Sequence, residues 1–194
     1  MKNHTHSISS PLHRINPKQD ASGLPLSTEG KEASAYADES NYHLPQVWAQ
    51  FLDNPSYHWS WYGHFTFRDY PHPETAGKAW DKFIHCLNRE AYGSRYWKDK
   101  SKGVTWARGT EDQKRGAVHF HALIGNLPER VRRMDYVDMW YDMAGIGRIY
   151  AYEAGRGAEF YMSKSTYAWK KGEIDLSETM KYHGAQPVLP TMLR

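Results

Sequence analysis

The segment Gly-Ala-Val-His-Phe-His-Ala-Leu-Ile-Gly, residues 116–125, decides which fold the sequence predicts. Successive side chains of a β-strand point to opposite faces of its sheet. One face of this segment is apolar and can bury in a core; it carries Val118, Phe120, Ala122 and Ile124. The other face carries His119 and His121, close enough together to bind one metal ion. The alternative is that both are ordinary surface histidines, but packing of the apolar face does not require them.

The sequence on either side of this strand predicts a helix and two further strands. Residues 59–67 are aromatic and β-branched, which is typical of a strand. Apolar residues then recur at steps of three and four, which predicts an amphipathic helix that begins after Pro73. Residues 104–107 predict a second strand. The polar segment 109–116 would join it to the histidine strand as a hairpin connection, with strand extensions into it.

The remaining sequence predicts two helices around a fourth strand. Pro128 suits the first position of a helix. The apolar stripe of that helix would consist of Met134, Val137, Tyr141 and Ala144. A fourth strand is expected over residues 149–153, and a third helix from Gly155 and Gly157 to about Gly172.

The element order β-α-β-β-α-β-α predicts an α+β fold. Two split β-α-β units in one antiparallel sheet make a ferredoxin-like or RNA-recognition-like (RRM-like) architecture. Its helices would cover one face of the sheet and leave an open active-site face. An open, aromatic-rich sheet face is a known platform for single-stranded nucleic acid.

Composition divides the chain into three parts. Residues 1–44 are rich in Ser, Pro, Asn and Gly without an apolar period, which predicts a disordered N-terminal arm. The folded domain is expected over residues 45–176 and a C-terminal tail over residues 177–194. No segment approaches the roughly 20 apolar residues of a membrane span, and no signal peptide is apparent. A single cysteine, Cys86, excludes an internal disulfide and favours a reducing compartment, the cytoplasm.

An acidic residue on the neighbouring hairpin arm would complete a metal site with the two histidines. Glu111 is the first candidate and Asp112 the second. Two imidazoles and one carboxylate leave coordination positions open for water and a phosphate oxygen. Such a site suits Mn²⁺ and tolerates Mg²⁺. A closed structural zinc site is disfavoured, because no fourth protein ligand is apparent.

The third predicted helix contains two Tyr-x-x-Lys spacings, Tyr161 with Lys164 and Tyr167 with Lys170. A phenol can attack a phosphodiester and become a covalent phosphotyrosine. A neighbouring lysine favours the phenolate over the phenol. Tyr161 would overlook the open sheet face, whereas Tyr167 would face solvent. An ordinary amphipathic helix with exposed lysines is the alternative interpretation.

Positive charge is concentrated in the middle of the chain. Eleven Lys or Arg and five Asp or Glu lie between residues 89 and 133, a local charge of +6 against +3 for the whole chain. Cations neutralise phosphates and aromatic rings stack on bases. The predicted DNA-binding residues are Arg95, Trp97, Lys98, Lys100, Lys102, Arg108, Lys114 and Arg115. A solvated charged loop is the alternative.

Three motifs together indicate a family. They are His64-Phe-Thr-Phe-Arg-Asp69, His119-Phe120-His121 and Tyr161-Met-Ser-Lys164. In this order the chain, over roughly residues 57–172, resembles the HUH endonucleases, in particular rolling-circle replication initiators (Rep proteins) with one catalytic tyrosine. Glu111 stands where many initiators have their acidic third ligand.

The resemblance implies a sequence-specific nickase of single-stranded DNA. A divalent metal would polarise the scissile phosphate, and Tyr161 would attack it with help from Lys164. The products would be a free 3′-hydroxyl and a 5′-phosphotyrosine, which a 3′-hydroxyl could later attack to rejoin the strand. The implied partners are single-stranded DNA or an origin hairpin, with a replicative helicase or polymerase as further candidates. The chain has no P-loop of its own.

Several alternatives remain open at the level of sequence. The second tyrosine, Tyr167, leaves a two-tyrosine mechanism open. A single-tyrosine transposase would carry the same motifs. A nuclease that activates water would cleave without a covalent adduct. A non-catalytic RRM-like nucleic-acid-binding module would need no metal. The target sequence and the replicon, plasmid or phage, are not specified by these motifs.

Overall fold

The computed structural model of the protein describes residues 44–112, 118–166 and 173–183. The strands are β1 (Trp59–Thr66), β2 (Thr105–Asp112), β3 (Val118–Gly125), β4 (Gly147–Ala151) and β5 (Ile174–Leu176). The helices are α1 (44–52), α2 (Pro73–Tyr92), α3 (Arg133–Met143), α4 (Ala158–Ser163) and α5 (Met180–His183). Short 3-10 turns span Pro55–Tyr57, Tyr96–Lys98 and Lys164–Thr166. Within these ranges no helix has the length and apolar character needed to cross a bilayer.

The strands form one antiparallel sheet in the order β4-β1-β3-β2-β5. This sheet and its packed helices confirm the predicted α+β class and are compatible with a ferredoxin-like or RRM-like split β-α-β fold. The sequence did not predict β5, which pairs with β2 through Ala107 and Leu176. Three residues are too few for a periodic signal, so only the pairing with β2 reveals this strand.

The first face of the sheet packs against α2 and α3 in an aromatic core. Phe65 lies at the centre of this core, with its ring centroid 5.3 Å from that of Trp80 and 5.0 Å from that of Trp140. The predicted apolar face of β3 joins the same cluster: Val118, Phe120, Ala122 and Ile124. Each fully buried large apolar side chain contributes about 1.5–3 kcal/mol, so this face supplies most of the hydrophobic stabilisation.

Helix α2 begins at the proline that the sequence indicates. Pro73 is its first residue, and the His72 ring accepts a hydrogen bond from the Glu74 main-chain N–H at 3.3 Å. Gly93 follows the last helical residue with φ +85°, a conformation that favours glycine.

Two predictions for α3 are wrong. The helix begins at Arg133, not at Pro128, whose carbonyl accepts from the Val131 N–H in a preceding turn. Its buried residues are Tyr136 and Trp140. The predicted stripe leaves Met134 and Tyr141 exposed and Val137 and Ala144 only partly buried. The reason is packing: the Trp140 ring lies against Phe65 and the Tyr136 ring lies against Trp61, so this pair four residues apart faces the sheet.

Strand β4 lies two residues earlier than predicted. It spans Gly147–Ala151, and Gly147 pairs with Phe65 of β1. A side chain at position 147 would place its Cβ 3.1 Å from Cδ1 of Trp140, a tight contact that the glycine avoids at the start of the strand. Helix α4 ends at Ser163 and continues as the Lys164–Thr166 turn; the rest of the predicted helix, residues 167–172, lies outside the described residues.

The second face of the sheet is less open than predicted. A smaller apolar cluster covers part of it and consists of Leu52, Tyr57, Ala107, Leu123, Met162 and Met180. Helices α1, α4 and α5 supply three of these side chains. Met180 belongs to the segment expected to form the tail, yet it is buried, so residues 177–183 pack on the domain. Residues 1–43 and 184–194 lie outside the described part of the chain.

Candidate metal centre and nucleophile

The strand register brings three imidazoles together on the second face of the sheet. His119 and His121 lie on one side of β3, with ring centroids 4.4 Å apart. His64 of β1 pairs directly with His121, and their ring centroids are 4.7 Å apart. One nitrogen from each of the three rings lies within 4.8 Å of the others, a spacing that permits a shared metal ion. His119 and His121 are only 8% and 4% exposed.

His64 was not among the predicted ligands, although it belongs to the first motif. Its orientation could have been inferred from the alternation of side chains along a strand. Trp61 and Phe65 face the aromatic core, so His64 must face the other side of β1. Its neighbour across the sheet, however, is fixed by the pairing of β1 with β3, which joins residues far apart in sequence.

Glu111 lies beside the histidines, at the position expected for a carboxylate ligand. It pairs with His119 across β2 and β3, and its Oε2 lies 3.3 Å from Nε2 of His121. Asp112, the second candidate, takes the register position opposite Val118, a core residue. The strand register thus puts position 111, not position 112, opposite a histidine.

Two neighbours of the cluster influence the protonation and orientation of its imidazoles. Burial, together with the nearby Arg148 guanidinium, lowers the pKa of His64 below its usual value. A neutral imidazole is the form that binds a metal. Tyr62 Oη lies 3.4 Å from Nδ1 of His121 and can fix the orientation of that ring. Burial also raises the pKa of the Tyr62 phenol, so it stays protonated near neutral pH.

Tyr161 overlooks the cluster from α4. Its ring centroid is 5.1 Å from that of His121 and 5.6 Å from that of His64. The side chain is 43% exposed, so a substrate can reach it. The Lys164 ammonium lies 4.3 Å from the centroid of the Tyr161 ring, a cation–π contact. Tyr167 and Lys170, the second pair, lie outside the described residues.

The donor set fits a divalent cation. Three imidazole nitrogens lie within reach of one ion, one more than in the predicted two-histidine site, and the Glu111 carboxylate lies beside His121. Imidazole favours transition metals over Mg²⁺, while a carboxylate is a common ligand of Mn²⁺. Among the predicted ions, Mn²⁺ therefore suits these residues better than Mg²⁺.

The basic loop lies at the other end of the sheet. Arg95, Trp97, Lys98, Lys100 and Lys102 precede Thr105, the first residue of β2, whereas Glu111 lies near its end. The six steps from Thr105 to Glu111 correspond to about 20 Å. This loop therefore lies at the end of β2 that is remote from the histidines. Lys100 and Lys102 also pair with Glu178 and Asp99, at 3.9 and 3.3 Å.

The side chain of Arg108 is held by contacts within the sheet. Its Nε donates to Asp175 of β5 at 3.2 Å, and its guanidinium lies 4.5 Å from the centroid of the Phe120 ring. Phe120 belongs to the helix-covered core, so Arg108 lies on the face opposite the histidines. It links β2 to β5 and is not available to a phosphate at the candidate site. Lys114 and Arg115 lie outside the described residues.

Comparison with known proteins finds no matching family model, no matching curated protein and no matching solved structure. The functional interpretation is therefore carried by the residues and geometry of this chain.

Proposed function

We propose that the protein is a metal-dependent endonuclease and strand transferase that nicks and rejoins single-stranded DNA at a replication origin. The observation that carries the proposal is the position of the Tyr161 ring, 5.1 Å from the His121 ring and half exposed above an imidazole–carboxylate cluster. A phosphate that enters from solvent between the Tyr161 ring and the cluster would contact the nucleophile and the metal ligands at the same time.

Each residue has a defined task in this reaction. Glu111, His119 and His121 would hold the cation, with His64 as a further nitrogen donor. When bound, the cation polarises a non-bridging oxygen of the phosphate. Tyr161 Oη loses its proton to water and forms a bond to phosphorus, while the bond from phosphorus to the 3′ oxygen breaks. The products are a 3′-hydroxyl, after it takes up a proton, and a 5′-phosphotyrosine.

The phosphotyrosine ester conserves the energy of the broken bond. A 3′-hydroxyl can attack the same phosphorus, release Tyr161 and restore the phosphodiester. The Lys164 ammonium lies beside the Tyr161 ring and can offset negative charge that develops during transfer in either direction. Nicking and rejoining thus require one site and no energy-rich cofactor.

The proposed substrate is unpaired DNA, in a single strand or an origin hairpin. Exposed tyrosines near the cluster, Tyr150 and Tyr161, can stack on bases only when those bases are unpaired. A replicative helicase or polymerase would extend the released 3′ end. We propose the cytoplasm as the compartment, since the chain has a single thiol, Cys86. A single-tyrosine transposase would use the same chemistry on transposon ends.

A covalent-adduct assay tests the proposal. The protein is incubated with Mn²⁺ and a library of single-stranded oligonucleotides, and products are separated on a denaturing gel. We expect a protein–DNA adduct that Tyr161→Phe abolishes. Tyr182→Phe, a similarly exposed tyrosine on α5, is the matched control and should leave the adduct intact.

The other outcomes of this assay distinguish among a different nucleophile, hydrolysis by water and binding without catalysis. An adduct that persists in Tyr161→Phe and disappears in Tyr167→Phe would assign the nucleophile to Tyr167. Cleavage without an adduct would indicate attack by water. Binding without cleavage at any Mn²⁺ concentration would favour a non-catalytic binding module.

A further inference from the structure

A cavity of about 530 Å³ adjoins the candidate metal centre. It lies above the edge of the sheet formed by β1 and β4, beneath the segment that leads into α4. Its lining includes Tyr62, His64, Arg133, Tyr150, Arg156 and Tyr161. The volume is within the usual range for a small-molecule site, about 300–1,000 Å³.

The cavity and the metal cluster share a wall. His64 and Tyr161 belong to both, and their ring centroids are 5.6 Å apart. A group in the cavity therefore lies next to a phosphate placed between Tyr161 and the imidazoles. One nucleotide step along a DNA strand is enough to connect the two positions.

The aromatic residues of the cavity are accessible. Tyr150 is 50% exposed, and its ring is 6.1 Å from that of His64 at an interplanar angle of 87°. Such a ring has a face available for a planar ligand. Core aromatics such as Trp140 have no such free face, because they are fully buried.

The charge of the cavity favours an anion. Arg133 and Arg156 contribute two positive charges, whereas Glu153 contributes one negative charge. Arg133 uses one N–H group on the Ile149 carbonyl at the edge of β4, and a guanidinium has five donors in all. Arg156 pairs with Glu153 at 2.7 Å, but both side chains are more than half exposed and can rearrange.

We propose that this cavity binds one unpaired nucleotide of the DNA substrate, adjacent to the scissile phosphate, with its base against Tyr150 and its phosphate near Arg156. The adjacency to a scissile phosphate rests on the proposed nicking function. Binding itself requires neither the metal nor the reaction, so it can be measured separately.

The test compares two ligands of equal charge by fluorescence anisotropy without divalent metal. One is a thymidine oligomer of about 12 nucleotides, within the usual site size of such domains, and the other is the same backbone without bases. We expect Tyr150→Ala to weaken binding of the thymidine oligomer about 5- to 150-fold and to leave the abasic ligand nearly unchanged. Tyr141→Ala, exposed on α3, is the matched control and should affect neither ligand.

Arg156→Gln tests the phosphate contact. It should weaken both ligands and lower the slope of log affinity against log salt by about one. Arg132→Gln is the control, because Arg132 is 78% exposed and pairs with Asp135 three residues away, as Arg156 (76% exposed) does with Glu153. Thermal melting of each variant verifies that it is folded.

The result that overturns the proposal is a Tyr150→Ala variant that binds both ligands as Tyr141→Ala does, or loses affinity for both equally. An adduct that forms with such a variant would leave the nicking function standing without this cavity. Suppose that Tyr150→Ala loses affinity only for the thymidine oligomer and that the wild type forms no adduct. This result would support nucleotide binding in the cavity and refute the nicking function.

Discussion

Replacement of His121 by asparagine should remove most of the stabilisation that Mn²⁺ gives to the protein. His121 lies between the other donors, with Nε2 3.3 Å from Glu111 and its ring centroid 4.4 Å from that of His119. At a free Mn²⁺ concentration of about 100 times Kd, binding stabilises the wild type by about 2.7 kcal/mol. Loss of one direct ligand should weaken binding at least about 100-fold, since even the outer partners of a ligand contribute 10- to 100-fold.

At the same Mn²⁺ concentration the His121→Asn variant should retain only about 0.4 kcal/mol of stabilisation. A difference of about 2.3 kcal/mol corresponds to roughly 9 °C in Tm at about 4 °C per kcal/mol. Thermal melting as a function of Mn²⁺ concentration measures this shift. His85→Asn is the control, because His85 is exposed on α2 and bonds Tyr96 at 2.9 Å, away from the cluster.

A wild-type Tm that Mn²⁺ does not raise, or an equal rise in His121→Asn, would contradict a metal site at these histidines. The His64→Asn variant tests whether His64 is itself a ligand of the metal ion. A loss as large as that of His121→Asn would make His64 a direct ligand, and a response like that of His85→Asn would leave the two-histidine site.

Three further predictions concern the core, the sheet and the cluster. Trp140→Ala should lower the free energy of unfolding by about 3–5 kcal/mol in urea titrations, because its ring is fully buried. Arg108→Gln should lower stability by breaking the pair with Asp175, without changing the affinity for single-stranded DNA or its salt dependence; a weaker salt dependence would restore its predicted DNA contact. Tyr62→Phe should raise the Mn²⁺ Kd about 10- to 100-fold, because Nδ1 of His121 loses the oxygen that orients the ring. An unchanged Kd, measured by calorimetry, would contradict that role.

The parts of the fold that could be predicted are those with a strong local period. In β3 Val118, Phe120, Ala122 and Ile124 occupy alternate positions, and the strand period puts His119 and His121 together on the other face. In α2 the steps of three and four coincide with a proline at the start and a glycine after the end. Local chemistry and tertiary packing agree in both elements.

The errors occur where local signals are ambiguous. Pro128 suits a turn as well as the first position of a helix, and the sequence does not distinguish them. Two stripes with helical spacing run along α3, and the one with Tyr136 and Trp140 is buried because its rings pack against Trp61 and Phe65 of β1. That preference depends on residues distant in sequence.

The same reason limits prediction of the site. Glu111 could be anticipated from its place on the adjoining hairpin arm, and Tyr161 from its spacing to Lys164. The contribution of His64 depends on the register of β1 with β3. The basic loop around Trp97 follows α2 closely in sequence and leads into β2, whose length of about 20 Å separates this loop from the histidines.

Mass spectrometry of the digested protein after incubation with Mn²⁺ and a cleavable oligonucleotide offers the decisive comparison. We expect one peptide to gain the mass of a 5′-linked nucleotide at Tyr161, and no such peptide from Tyr161→Phe or from His121→Asn. Modification of another residue, or DNA cleavage that leaves every tyrosine unmodified, would contradict covalent catalysis by the phenol above the imidazole cluster.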